Sequence, residues 1–70
     1  MNIHKLKNNP KKLKKLKTDE LLELFHLSNS ELTTIMETVS PEELKSHSNE
    51  NINSWEKFID DISEALDNRN

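Results

Sequence analysis

The chain has 70 residues, enough for one domain, and its ten basic and thirteen acidic residues give a net charge of −3. It contains neither cysteine nor glycine, which excludes disulfides, thiolate metal sites and the glycine-rich loops that cradle phosphates. No apolar run approaches the roughly 20 residues of a membrane span, and no hydrophobic stretch follows the basic N-terminus as in a signal peptide. We therefore expect a cytoplasmic protein that does not contact a membrane.

Residues 1–17 form a lysine-rich segment with seven lysines and no acidic residue, whereas residues 18–70 hold three basic residues against all thirteen acidic ones. Pro10 after Asn9 can start a short helix, and the apolar content is enough to rest on a core: Leu6, Leu13 and Leu16. Two interpretations stay open, a flexible, solvated arm or an electrostatic patch for nucleic acid, an acidic protein or the chain's own acidic C-terminal face. The phosphate-binding candidates are Lys11, Lys12, Lys14, Lys15 and Lys17.

A helix is predicted to begin at Thr18, because Asp19 and Glu20 in its first turn interact favourably with the helix dipole. It carries more apolar residues than one face can hold: Leu21, Leu22, Leu24, Phe25 and Leu27. The helix is therefore expected either to lie at the centre of the core or to expose apolar side chains to a partner.

The polar run Ser28-Asn29-Ser30 predicts a turn, and a second helix after it carries Leu32, Ile35, Met36 and Val39. This stretch resembles the helix-turn-helix of DNA-binding proteins at five apolar positions: Leu21, Phe25, Leu27, Leu32 and Ile35. The resemblance implies two helices packed at a steep angle, with the second in the major groove. Leu22 stands where that motif takes alanine, and His26 where it takes glycine. The outward side chains of the second helix include no basic residue and two acidic ones, which phosphate would repel.

Ser40-Pro41-Glu42-Glu43 combines a capping serine, a proline at the first helical position and a glutamate at the third, so a short helix is predicted there. A polar linker over 46–51 leads to an amphipathic helix predicted over 53–67, capped by Asn53 or Ser54. Its apolar face consists of Trp55, Phe58, Ile59, Ile62, Ala65 and Leu66. The opposite face is almost wholly acidic and contains Glu56, Asp60, Asp61, Glu64 and Asp67.

No catalytic centre is predicted, because the three histidines share no helical spacing and no nucleophile can be paired with a base. Asp60, Asp61 and Glu64 lie close enough on one helix to hold a divalent cation in principle. No second segment supplies further ligands, however. We therefore predict a protein that is not an enzyme, with no metal and no cofactor.

These patterns predict an all-α fold, a small single-domain bundle of three to four short helices. Residues 18–70 form the helical domain, and residues 1–17 a basic arm. Within the domain, a helix-turn-helix-like pair precedes the C-terminal amphipathic helix.

We expect a non-catalytic regulator that binds another protein, such as a phage- or plasmid-type inhibitor, antirepressor or anti-defence factor. Its acidic face could occupy the basic surface of a DNA-binding or nucleic-acid-processing protein. The protein-binding candidates are Leu22, Phe25, Trp55, Phe58, Asp60, Asp61 and Glu64. For the two aromatic residues, the other interpretation is that they fill the core. Formation of a homodimer is a further alternative that stays open. The alternative function is a nucleic-acid-binding transcriptional regulator that uses the lysine-rich segment and the helix-turn-helix-like pair.

Overall fold

The computed structural model describes residues 3–69, and all the regular structure in that range is helical. Four α-helices are present: α1 (Ile3–Lys7), α2 (Thr18–Met36), α3 (Pro41–Ser46) and α4 (Glu50–Asp67). A 3₁₀ helix, Pro10–Lys15, lies between α1 and α2. The predicted all-α class is confirmed.

The two long helices, α2 and α4, lie side by side and run antiparallel. The end of α4 meets the start of α2. Arg69, which follows α4, donates a hydrogen bond of 3.5 Å to the hydroxyl of Thr18, the first residue of α2. The same guanidinium donates to the carbonyl oxygens of Leu13 and Lys14, at 3.4 and 3.3 Å. Arg69 therefore connects the end of α4 both to the start of α2 and to the 3₁₀ helix.

The core lies where α2, α4 and the 3₁₀ helix meet. Its buried cluster consists of Leu13, Leu21, Leu24, Trp55, Phe58 and Ile62. The rings of Trp55 and Phe58 meet edge to face, with their centroids 6.0 Å apart. From α1, His4 makes a similar contact with Trp55 at 5.7 Å, and Lys7 Nζ lies 5.1 Å from the centroid of the indole. Such a cation–π contact adds stability to the docking of α1 on α4.

The lysine-rich segment contributes an apolar side to this core. Leu13 is only 3% exposed, and Ile3, Leu6 and Leu16 pack partly buried against the cluster. This agrees with the expectation that its leucines rest on a core. The division of the chain at residue 17 into an arm and a domain stays a prediction.

The predicted turn at residues 28–30 is wrong, because α2 continues through it without interruption. No proline or glycine stands between Thr18 and Ser40 to stop the helix. The polar side chains of this stretch bond back along the helix instead of capping a new one: the Asn29 amide donates to the Phe25 carbonyl, and the Thr33 hydroxyl to the Asn29 carbonyl, each at 2.9 Å. The helix-turn-helix-like pair is thus replaced by one helix of 19 residues.

The start of α3 is confirmed, and the start of α4 lies earlier than predicted. The hydroxyl of Ser40 accepts a hydrogen bond of 3.2 Å from the backbone N–H of Glu43. For α4 the cap is Asn49, whose side chain accepts from the N–H of Ile52 at 3.1 Å. Asn53, one of the two predicted caps, lies inside the helix and donates instead to the carbonyl of His47 at 2.8 Å.

Candidate protein-binding surface

Two predicted binding residues, Trp55 and Phe58, lie inside the molecule. They are 2% and 3% exposed, so they offer no area to a partner and are removed from the candidate surface. The reason is a contact between distant parts of the chain: α1 covers the indole with His4 and Lys7, and Phe58 packs against Trp55. Of the two interpretations of these aromatic residues, the structure agrees with core packing.

The other two apolar candidates, Leu22 and Phe25, lie at the surface of α2. Leu22 is 44% exposed and Phe25 half-buried. Because successive residues of an α-helix are turned by about 100°, Leu32 and Met36 fall in the same arc of about 80° as these two. Leu32 is half-buried and Met36 is 38% exposed. They form a row that the half-buried Asn29 interrupts at its middle, and we call the four apolar residues the α2 stripe.

The neighbouring edge of α4 carries two further apolar residues with a serine between them. In an antiparallel pair, the α4 residues on the same side as the α2 stripe are Ile59, Ser63 and Leu66, all half-buried. A small depression at one end is lined by Met36 of the stripe, by Ile52 and Glu56 of α4 and by residues of α3. The two edges therefore lie on one side, and α3 adjoins them at this end. We call the α2 stripe with Ile59 and Leu66 the α2–α4 face.

The lysine-rich segment covers the opposite edge of α4. An open groove of about 630 Å³ separates the two, lined on the α4 side by Lys57, Asp61, Glu64 and Ala65, and on the other by Pro10, Lys11, Leu13 and Lys14. The predicted acidic face is thereby divided. Asp61 and Glu64 line the groove beside lysines, whereas Asp60 is exposed on the outer side of α4.

The phosphate-binding candidates are all exposed: Lys11, Lys12, Lys14, Lys15 and Lys17. In a 3₁₀ helix, residues three apart lie directly above one another. Lys11 and Lys14 therefore share the side that lines the groove, and Lys12 and Lys15 share another side. The structure does not gather the five lysines into one row with α2.

Met36 is a surface residue of α2 that the helix-turn-helix interpretation assigns to a second helix. Continuing the 3.6-residue periodicity of α2 through residues 28–30 would have aligned Met36 with Leu22 and Phe25. Leu27, one of the five apolar positions of the helix-turn-helix interpretation, is 42% exposed and lies on a different side of α2.

Within residues 3–69, no three histidine, aspartate or glutamate side chains come together as metal ligands. Nor does any helix in that range have the length and apolarity needed to cross a membrane. In comparisons with family models, curated proteins and solved structures, the chain matches none of them.

Proposed function

We propose that this chain is a non-catalytic regulatory protein that acts by binding another protein, and that the α2–α4 face is the binding surface. The observation that carries the proposal is the α2 stripe, in which Leu22 and Met36 are 44% and 38% exposed at the two ends. An inhibitor, antirepressor or anti-defence factor fits a chain of this size that acts through contact alone.

The number of apolar residues on one side distinguishes this surface from ordinary exposed hydrophobic residues. Single exposed leucines are common on soluble proteins and need no explanation. Here six apolar residues lie on one side of two adjacent helices, with Asn29 and Ser63 among them and polar residues at their border. Apolar patches rimmed by polar residues are typical of protein–protein interaction sites. With Trp55 and Phe58 buried, the anchors of such an interface would be the leucines, Phe25 and Met36 of this face.

A photo-crosslinking amino acid placed at Leu22 tests this proposal in the cells that naturally produce the protein. The matched control carries the same amino acid at Glu23, which is exposed on the same helix but turned by about 100° away from the face. We expect a discrete protein adduct from position 22 and none from position 23. Equal adducts from both positions, or none from position 22, would contradict the proposal.

A second candidate function, nucleic-acid binding by the lysine-rich segment, is supported by one observation: Lys12, Lys15 and Lys17 are exposed and are not among the residues that line the groove. Because α2 is one helix, such binding would be independent of sequence. Its affinity should fall with salt, with a log–log slope of about −0.9 for each phosphate neutralised. Lys12→Gln with Lys15→Gln should lower that slope by about two. Absence of binding to duplex DNA and to RNA at low salt would reject this candidate.

A further inference from the structure

We infer that the α2–α4 face takes an amphipathic helix of another protein, with apolar residues on one side and lysine or arginine residues beside them. This inference rests on the proposed function and specifies the chemistry of the partner. It follows from the shape of the face, the charge around it and the position of the lysine-rich segment.

The shape of the face suits a helix of about four turns. Leu22 and Met36 are 14 positions apart on a continuous helix, a distance of about 21 Å. Ile59 and Leu66 of α4 lie beside part of this length, about 10.5 Å apart. A helix lying between two antiparallel helices can insert its side chains between both rows, as an amphipathic helix does in a hydrophobic groove. A partner helix of about 14 residues spans the same distance.

The charged side chains on the α4 border of the face are all acidic. Together α2 and α4 contain ten acidic residues and a single basic one, Lys57, and Lys57 lines the groove on the other side of α4. Three exposed acids lie along the outer edge of α4 next to Ile59 and Leu66: Glu56, Asp60 and Asp67. We call these three the acidic rim. A partner that covers the apolar rows brings its flanking side chains against this rim, so cationic flanks are favoured and anionic ones repelled.

A second copy of this chain is a poor occupant for the same reason. Two α2–α4 faces packed on each other would bring two acidic rims to one interface with no lysine of either face to offset them. Two of the chain's own lysines, Lys11 and Lys14, line the groove on the other side of α4 with Asp61 and Glu64. These two lysines therefore do not occupy the acidic rim, which cations of another protein can contact.

The probe for the first test is a labelled 14-residue peptide of leucine and lysine with helical amphipathic periodicity. Two further peptides accompany it: the same composition with the periodicity scrambled, and the same pattern with glutamate in place of lysine. Fluorescence anisotropy measures their binding to the full chain. We expect the amphipathic lysine peptide to bind at least about tenfold more tightly than either of the others. Equal binding of the scrambled peptide would overturn the inference, since it would show attraction by net charge alone.

Matched variants locate the binding. Neutralising the rim with Glu56→Gln, Asp60→Asn and Asp67→Asn should weaken the amphipathic lysine peptide about tenfold. The control Glu23→Gln, Glu50→Gln and Glu64→Gln removes three exposed charges away from the face and should change the affinity by less than about twofold. Equal losses in the two triple variants would overturn the assignment of the rim.

The apolar residues of the face are tested with a matched pair of leucines. Leu22 and Leu27 are 44% and 42% exposed on one helix, but they lie about 140° apart around it. Leu22→Asn should weaken the peptide about tenfold, and Leu27→Asn should not. Circular dichroism confirms that each variant is folded. Sedimentation that shows a dimer of the unmodified chain, dissociated by Leu22→Asn alone, would make a second copy the occupant and overturn the inference.

Competition separates failure of this inference from failure of the proposed function. If the amphipathic lysine peptide does not prevent the adduct at position 22, the proposal of protein binding is retained. The inference that the partner contributes a basic helix is then rejected. If no adduct forms and Leu22→Asn leaves the affinity for the peptide unchanged, both the proposed function and this inference are rejected. Displacement of the adduct by the lysine peptide and not by the glutamate peptide is the result that we expect.

Discussion

At the scale of single residues, Ser28 is the clearest exception to the apolar interior. It is 0% exposed, and its hydroxyl has no hydrogen-bond partner among the described residues. It lies in line with Leu21 and Leu24 on the side of α2 that meets the core. A buried hydroxyl without a partner costs about 1–3 kcal/mol, while a side chain this small lets the core residues around it approach closely.

We therefore expect Ser28→Ala to raise the free energy of unfolding by about 1 kcal/mol. Alanine also favours the helix intrinsically, so Ser30→Ala, at an exposed position of α2, serves as the control for that contribution. Urea unfolding followed by the fluorescence of Trp55 measures both variants. A loss of stability in Ser28→Ala beyond the control would show that the hydroxyl is hydrogen-bonded in solution.

His47 holds the other unusual conformation at this scale. It caps the C-terminus of α3 with φ 55° and ψ 28°, in the left-handed region. For a residue with a Cβ this conformation costs about 1–2 kcal/mol, which glycine avoids. His47→Gly should therefore stabilise the protein by about 0.5–1 kcal/mol in thermal or urea unfolding. His47→Ala keeps the Cβ and should give no such gain. An equal gain in both variants would show that the imidazole, and not the backbone conformation, lowers the stability.

At the scale of elements, the continuity of α2 decides between two folds that share the same apolar positions. Proline at position 30 distinguishes them, because that position is deep inside α2 but would be near the start of a second helix after a turn at 28–30. In the continuous helix, Ser30→Pro removes a backbone hydrogen bond and clashes with the preceding turn, at a cost of about 3 kcal/mol or more.

That loss is a large part of the total stability expected for a chain of this size, about 4–10 kcal/mol. Ser30→Pro should therefore lose helical circular dichroism or unfold at much lower urea concentration, whereas Ser30→Ala should not. Near-normal stability of Ser30→Pro would restore the turn and with it the helix-turn-helix-like pair.

At the scale of the whole molecule, the lysine-rich segment and the acidic helices belong to one packed unit in the structure. Leu13 enters the core cluster, and Arg69 donates to the carbonyls of Leu13 and Lys14 from the opposite end of the chain. The segment thus brings Lys11 and Lys14 beside Asp61 and Glu64.

Removing the anchor tests this packing. Leu13 is 3% exposed, so Leu13→Ala should lower the free energy of unfolding by about 2–5 kcal/mol through lost burial and the cavity left behind. Leu16→Ala, at a half-buried position, should cost less. If the segment were a flexible arm in solution, Leu13→Ala would change the stability by no more than about 0.5 kcal/mol.

The sequence by itself determined the all-α class, the starts of α2 and α3, and the separation of apolar from acidic residues on α4. These features depend on local properties, namely helix periodicity, dipole and capping residues and the absence of glycine, so a single stretch of chain carries the information. Only the tertiary structure decided that Ser28 is buried within an unbroken helix, that α1 covers Trp55, and which edge of α4 the lysine-rich segment occupies. Periodicity identifies an apolar face, but whether that face is core or surface depends on which distant segment packs against it, and that contact has no local signature in the sequence.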